Sequence, residues 1–251
     1  MKYTKWVRGV RGPTSESFTP DVTIILVSLA GYGGNRTRFR RLARELKLEL
    51  DVPGRRRVAP VIGVGRLTTA AEQKITSNIR AGVERITKTG GAKPKIIFLG
   101  KSMGGRVLSA ASLKLNSLNI DVELFVGVDV SCRLGYHYQN YLESGGNTKY
   151  AVCVGKNIRE LVNLYERRRK CSQNGHVLLY HGTRSQFPDL PYFDRSLNID
   201  VAKDGFNKKN LVLDETCDAI TPNNPTHKTI EEDPHVIDVV KRYAWRTAGT
   251  V

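Results

Sequence analysis

Cysteine, aromatic residues and acidic residues are all scarce in this chain, and each shortage closes a line of explanation. Cys132, Cys153, Cys171 and Cys217 are far apart in 251 residues and no C-x-x-C pair occurs, so neither a thiolate zinc site nor a thioredoxin-like motif is indicated. Buried free thiols are the expectation, although the even count would allow disulfides in an exported chain. The longest apolar stretch, residues 22–30, is too short to span a bilayer. Residues 1–20 carry Lys2, Lys5, Arg8 and Arg11 but no apolar core followed by a small-residue cleavage site, so no signal peptide is read there. A soluble protein, cytoplasmic by default, is the expectation. No Pro/Gly/Ser-rich linker or internal repeat divides the chain, which predicts a single domain over 1–251, with its core at about 21–243 and an N-terminal extension at 1–20.

What is present is positive charge. Forty Lys and Arg against 24 Asp and Glu give a net charge of +16. Such a balance suits an anionic membrane or polyanion surface as partner and says nothing of fold. The basic residues cluster at 36–44, 55–57 and 167–170 without the interleaved aromatics of a single-strand stacking platform, so no specific nucleic-acid motif is read.

Along the chain, strand-like and helix-like patterns alternate. Residues 21–29 (D-V-T-I-I-L-V-S-L) are β-branched and apolar almost throughout, as in a central strand covered on both faces. A glycine-rich loop follows, Gly31-Tyr32-Gly33-Gly34, then an amphipathic helix over 38–50 with Phe39, Leu42, Leu46 and Leu50 on one stripe. Residues 58–64 read as a strand interrupted by Pro60 and Gly63, and 69–88 as a crossover helix stopped by Gly90-Gly91. Residues 96–99 are a short buried strand, 103–118 a helix, and 120–130 a strand ending near Asp129. Beyond Ser131 the signals weaken: 157–170 fits helix or strand, 176–180 and 210–213 look like short strands, and 187–200, with three aromatics and two prolines, reads as a loop. Asp233 caps and Pro234 starts a C-terminal helix. This alternation predicts an α/β fold: a mostly parallel sheet with helices on both faces, a three-layer sandwich.

The chemistry concentrates at Gly100-Lys101-Ser102-Met103-Gly104, between the 96–99 strand and the 103–118 helix. Strand, G-x-S-x-G, helix forces a serine onto a sharp turn with its hydroxyl above the sheet, and Gly100 and Gly104 flank it where a Cβ would crowd the backbone. The alternative is a plain strand-to-helix turn. A serine nucleophile needs a base, and of five histidines His227 is favoured because it lies in the loop just before the C-terminal helix, whereas His235 lies inside that helix. His137 lies in the aromatic stretch after the strand that ends near Asp129, and His176 and His181, which bracket an expected strand, read as structural or surface residues.

G-K-S-M-G-G at 100–105 resembles the nucleophile elbow of lipase-like and esterase-like α/β-hydrolases. Residues 29–34 (L-A-G-Y-G-G) are similar to that family's oxyanion loop, 124–129 to its aspartate-ending strand, and 227–234 to its histidine segment. The resemblance implies Ser102 as nucleophile, His227 as base, and the backbone N–H groups of Met103 and Tyr32 as oxyanion hole, with Gly31, Gly33, Gly100 and Gly104 supporting the loops. It implies no metal and no cofactor. The acid falls to Asp129, with Asp218, in the D-x-I-x-P sequence 218–222, as the alternative. Two positions depart from the family: Ala30 replaces its histidine before the oxyanion glycine, and Lys101 replaces the common histidine before the nucleophile.

The expected function is therefore a serine-dependent ester hydrolase of the carboxylesterase or lipase class, acting on an ester or lipid-like substrate through an acyl-enzyme. An acyltransferase or thioesterase would use the same triad with another acceptor or substrate. A non-enzymatic basic binding protein on the same fold is the competing class, and it needs an incomplete triad.

Overall fold

The structure is a computed structural model that describes residues 10–11, 18–31, 36–63, 69–128, 130, 151–155, 157–165, 178–181, 196–200 and 229–249. In chain order its elements are β1 (Val10–Arg11), β2 (Val22–Leu29), α1 (Arg36–Leu50), β3 (Arg57–Gly63), α2 (Thr69–Lys88), β4 (Lys95–Lys101), α3 (Met103–Ser117), β5 (Val122–Val128), β6 (Ala151–Val154), β7 (Ile158–Tyr165), β8 (Leu178–His181), β9 (Ser196–Asp200) and α4 (Pro234–Ala248). The main sheet has the order β1-β3-β2-β4-β5-β7-β9, and every neighbouring pair is parallel except β1 with β3.

The uninterrupted apolar runs form strands because both of their faces are covered. Ile25, Val27 and Leu29 of β2 join Ile96 and Phe98 of β4 in one core, filled out by Ile75 and Ile79 of α2 and Leu108 and Leu115 of α3. The intervening residues Ile24, Leu26, Ile97 and Leu99 face the other way, onto Phe39, Leu42 and Leu46 of α1 and Val236, Val239 and Tyr243 of α4. Strand periodicity of two thus supplies two cores from one sequence, and the result is the three-layer α/β sandwich the pattern predicts. Phe98 and Phe125 meet edge to face, 5.8 Å between centroids, in the layer beneath the carboxyl end of β4.

Several boundaries differ from expectation. The segment expected to be only an N-terminal extension adds an edge strand, β1, and buries Phe18. Pro60 sits within β3 because β1 pairs with β3 only at Ile62 and Gly63, so among the described residues no outer ladder needs the missing N–H. Residues 158–165 are strand: Ile158, Leu161, Val162 and Leu164 fit either period, and pairing between β5 and β9 decides. The expected loop at 187–200 ends in a strand, β9, where Leu197 and Ile199 alternate with polar residues while the prolines lie earlier in the segment. The strand expected at 176–180 is β8, which pairs with β6 in a separate two-stranded sheet. No strand was expected at β6. Residues 136–142 and 210–213 lie outside the described residues. Among the described residues no helix is long and apolar enough to cross a membrane.

Candidate active site

Ser102 occupies the turn between β4 and α3 with φ 52 and ψ −127. This is neither the right-handed nor the left-handed helical well, and for a residue with a Cβ it costs on the order of 1–3 kcal/mol. The surroundings hold it there. Its N–H donates to the carbonyl of Val128 at 3.1 Å, continuing the β4–β5 ladder one residue beyond the Lys101–Val128 pair. The residue is 5% exposed, and its side chain makes no capping hydrogen bond to α3.

Close backbone approach explains the glycines. A Cβ on Gly104 would stand 2.1 Å from the Leu29 carbonyl oxygen, and one on Gly100 would stand 2.4 Å from the Gly105 Cα. The start of α3 can therefore press against the ends of both β2 and β4. Gly31 approaches Ser102 itself: a Cβ there would lie 2.4 Å from Ser102 Cβ and 2.7 Å from its Oγ. The glycine-rich loop thus leaves β2 in contact with the serine side chain. Met103 is the first residue of α3, so its N–H has no acceptor within the helix and lies at the end where the helix dipole favours negative charge.

The structure brings Ser102, Met103, Gly31, Gly100 and Gly104 together at the carboxyl ends of β2 and β4. Tyr32, Gly33, Asp129, Asp218 and His227 lie outside the described residues. Val128, which precedes Asp129, is the residue whose carbonyl holds Ser102. His181 ends β8 in the small sheet, while His137 and His176 lie outside the described residues. His235 is in the first turn of α4, where Asp233 accepts from its N–H at 2.9 Å. Burial holds the His235 imidazole below its ordinary pKa; Arg242 pulls the same way, and Asp233 and Asp238 oppose it.

Sequence reasoning missed the charged residues packed beside the elbow. Lys101, 3% exposed, forms an ion pair through its Nζ with Oε2 of Glu231, whose side chain is fully buried. Glu231 belongs to a single 3-10 turn, Ile230–Glu232, which leads into Asp233 and α4. The neighbouring Glu232 pairs with Arg38 of α1. Arg106, one turn into α3, is also buried. The signal for Lys101 is strand alternation: it shares a face with Ile97 and Leu99, a face that is core, so its ammonium requires a buried anion.

A concavity of about 430 Å³, lined by Asp21, Asp51 and the run from Pro53 to Arg57, lies near the starts of β2 and β3. That is the opposite end of the strands from Ser102, and open α/β sheets place their chemistry at the carboxyl ends. Its Arg57 is paired with Asp21 at 3.0 Å, whereas Arg55 has no carboxylate partner among the described residues. Among those residues no cluster of three or more His, Cys, Asp or Glu side chains is placed to hold a metal ion.

No family model matches the chain, and no curated protein matches it. Solved structures similar to it include a presumptive cell surface hydrolase from Lactobacillus plantarum WCFS1, with 9% identity, TM-score 0.48, and coverage of 90% of this chain and 92% of that one. The Vlm2 thioesterase domain is similar over 91% of this chain and 94% of its own, with 10% identity and TM-score 0.41. A lipase-esterase related protein from Clostridium acetobutylicum ATCC 824 is 18% identical with TM-score 0.29, covering 50% of this chain and 49% of its own. The reading of the site rests on this chain's own residues.

Proposed function

We propose that the protein is a serine hydrolase that cleaves a carboxylic ester through an acyl-enzyme on Ser102. The observation that carries this reading is the backbone of Ser102, held at φ 52 and ψ −127 between a parallel strand and a helix, with Gly31 packed against its side chain. Strand–turn–helix is the context that a G-x-S-x-G nucleophile motif requires. A turn with no chemical role has no reason to keep a non-glycine residue in that conformation.

In the proposed mechanism, Ser102 Oγ attacks the ester carbonyl carbon while the His227 imidazole accepts its proton. The oxyanion receives hydrogen bonds from the N–H groups of Met103 and Tyr32, Met103 contributing from the start of α3. The tetrahedral species collapses, and the imidazolium protonates the departing alcohol. Water then attacks the acyl-enzyme with His227 again as base, releasing the acid and restoring Ser102. Asp129 holds the imidazole in the required tautomer. No step calls for a metal or cofactor.

The test combines a fluorophosphonate probe with a panel of p-nitrophenyl esters of increasing chain length. Labelling should map to Ser102, and Ser102→Ala should abolish both labelling and esterase turnover. Undiminished turnover in the alanine protein would sink the hydrolase reading; a residue of about a thousand-fold over water is within what an oxyanion hole supplies alone. Chain-length preference would then separate a short-chain esterase from a lipase. Product analysis with an added thiol or alcohol would separate a hydrolase from an acyltransferase.

A further inference from the structure

We propose that Lys101 is a positioning residue, whose buried ion pair with Glu231 locks the nucleophile turn to the segment that follows His227; this rests on the hydrolase reading above. The pair joins residues 130 apart in sequence, with side chains 3% and 0% exposed. Burying a lysine and a glutamate carries a desolvation cost that their attraction only roughly offsets, so a well-packed apolar pair would serve stability equally well or better. What an ion pair adds is registry: a single position of one element against another, with a buried Glu231 carboxylate left unpaired as the penalty for slipping. Glu231 Oε1 has no hydrogen-bond partner among the described residues, so Lys101 is what fixes this carboxylate.

The registry set here concerns the candidate site. Lys101 is bonded to Ser102. Three residues lie between His227 and Glu231, and the four steps of chain that join them reach at most about 14 Å when fully extended, so whatever fixes Glu231 limits where the imidazole is delivered. Glu232 ties the same turn to Arg38 near the start of α1, the helix that follows the glycine-rich loop. Two adjacent acids therefore connect the turn after His227 to the elbow and to the helix that follows the glycine-rich loop in sequence. Lys101 stands where the resembling family commonly has histidine, and this pairing gives the lysine a role there.

The experiment uses Lys101→Met, Glu231→Gln and the double variant Lys101→Met/Glu231→Leu, with kcat and KM for a p-nitrophenyl ester, melting temperature, and hydrogen exchange of backbone amides. Each single variant that still melts cooperatively should lose about 100-fold in kcat with KM little changed, the size expected when a reacting group is misplaced by about an ångström. Exchange should rise together around Ser102 and over 229–236. The double variant should regain melting temperature without regaining kcat, because an apolar pair fills the space without setting the register. Wild-type kcat in folded single variants, or recovery of kcat together with melting temperature in the double variant, would overturn the positioning role. A wild-type protein lacking Ser102-dependent turnover would instead overturn the hydrolase reading and the catalytic consequence of the lock with it.

Discussion

The N–H of Ser102 donates to the carbonyl of Val128 at 3.1 Å, which fixes the nucleophile candidate to the residue immediately before Asp129. The proposed function gives the acid to Asp129, with Asp218 as the alternative. Asp129→Asn is therefore expected to lower turnover by about a thousand-fold or more in a protein that still melts cooperatively, while Asp218→Asn leaves turnover largely intact. Steady-state kinetics on the two variants decide the matter. The reverse pattern would assign the acid to Asp218.

Gly31→Ala puts a methyl group where the Ser102 side chain already stands, at 2.4 Å from its Cβ. Overpacking of this kind costs about 1–3 kcal/mol, and relief requires either the loop or the serine to move. The expected result is a modest loss of melting temperature with a drop of about 100-fold in kcat/KM and in the rate of fluorophosphonate labelling. Unchanged labelling would mean that the loop does not support the nucleophile.

His235 supplies a pH dependence that is separate from catalysis. Its Nε2 is buried without a hydrogen-bond partner among the described residues, and desolvation lowers its pKa in the folded protein. The unfolded chain then binds the proton first on acidification. This contribution to stability is complete above the unfolded pKa of about 6.5 and is lost as pH falls from there through the lower folded value. A His235→Leu variant should show a shallower fall in melting temperature between about pH 6.5 and pH 5 than wild type. Parallel profiles would remove His235 as a source of acid sensitivity.

The +16 charge should be visible as salt-sensitive binding to anionic vesicles. Arg55 and Arg56, in the concavity at the amino ends of the strands, are the residues whose exchange for glutamate should weaken it most. Sedimentation with phosphatidylserine vesicles at low and high salt is the measurement. If nothing sediments even at low salt, the charge serves solubility.

The elements that were legible in the sequence are those in which local pattern and tertiary environment agree. The run 22–29 could only be a strand covered on both faces, α2 occupies the residues its apolar spacing marks, and Asp233-Pro234 starts α4 with the cap accepting two backbone N–H groups. The turn at Ser102 was legible because G-x-S-x-G between an apolar run and a helix is a local pattern, and one of its contacts, Gly100 against Gly105, lies within the motif, although Gly104 answers to the distant Leu29 carbonyl. What escaped was set by distant partners. Ile158, Leu161, Val162 and Leu164 suit helix and strand alike until β5 is beside them, and the prolines upstream of Ser196 hid the alternation of β9. Lys101 looked like a mere departure from a motif because its partner lies 130 residues away.

The backbone of Ser102 also sets activity against durability at a single residue. Its φ 52 and ψ −127 mirror the extended conformation that left-handed amino acids prefer, a region open to glycine and costly to anything larger. Replacing the serine with alanine deletes the hydroxyl and keeps the cost, whereas glycine deletes both at a penalty of about 0.5–1 kcal/mol in chain entropy. The glycine protein, inert as a nucleophile, is thus placed to melt at or above the alanine protein, and the gap between them measures what the fold forgoes to hold one hydroxyl in position.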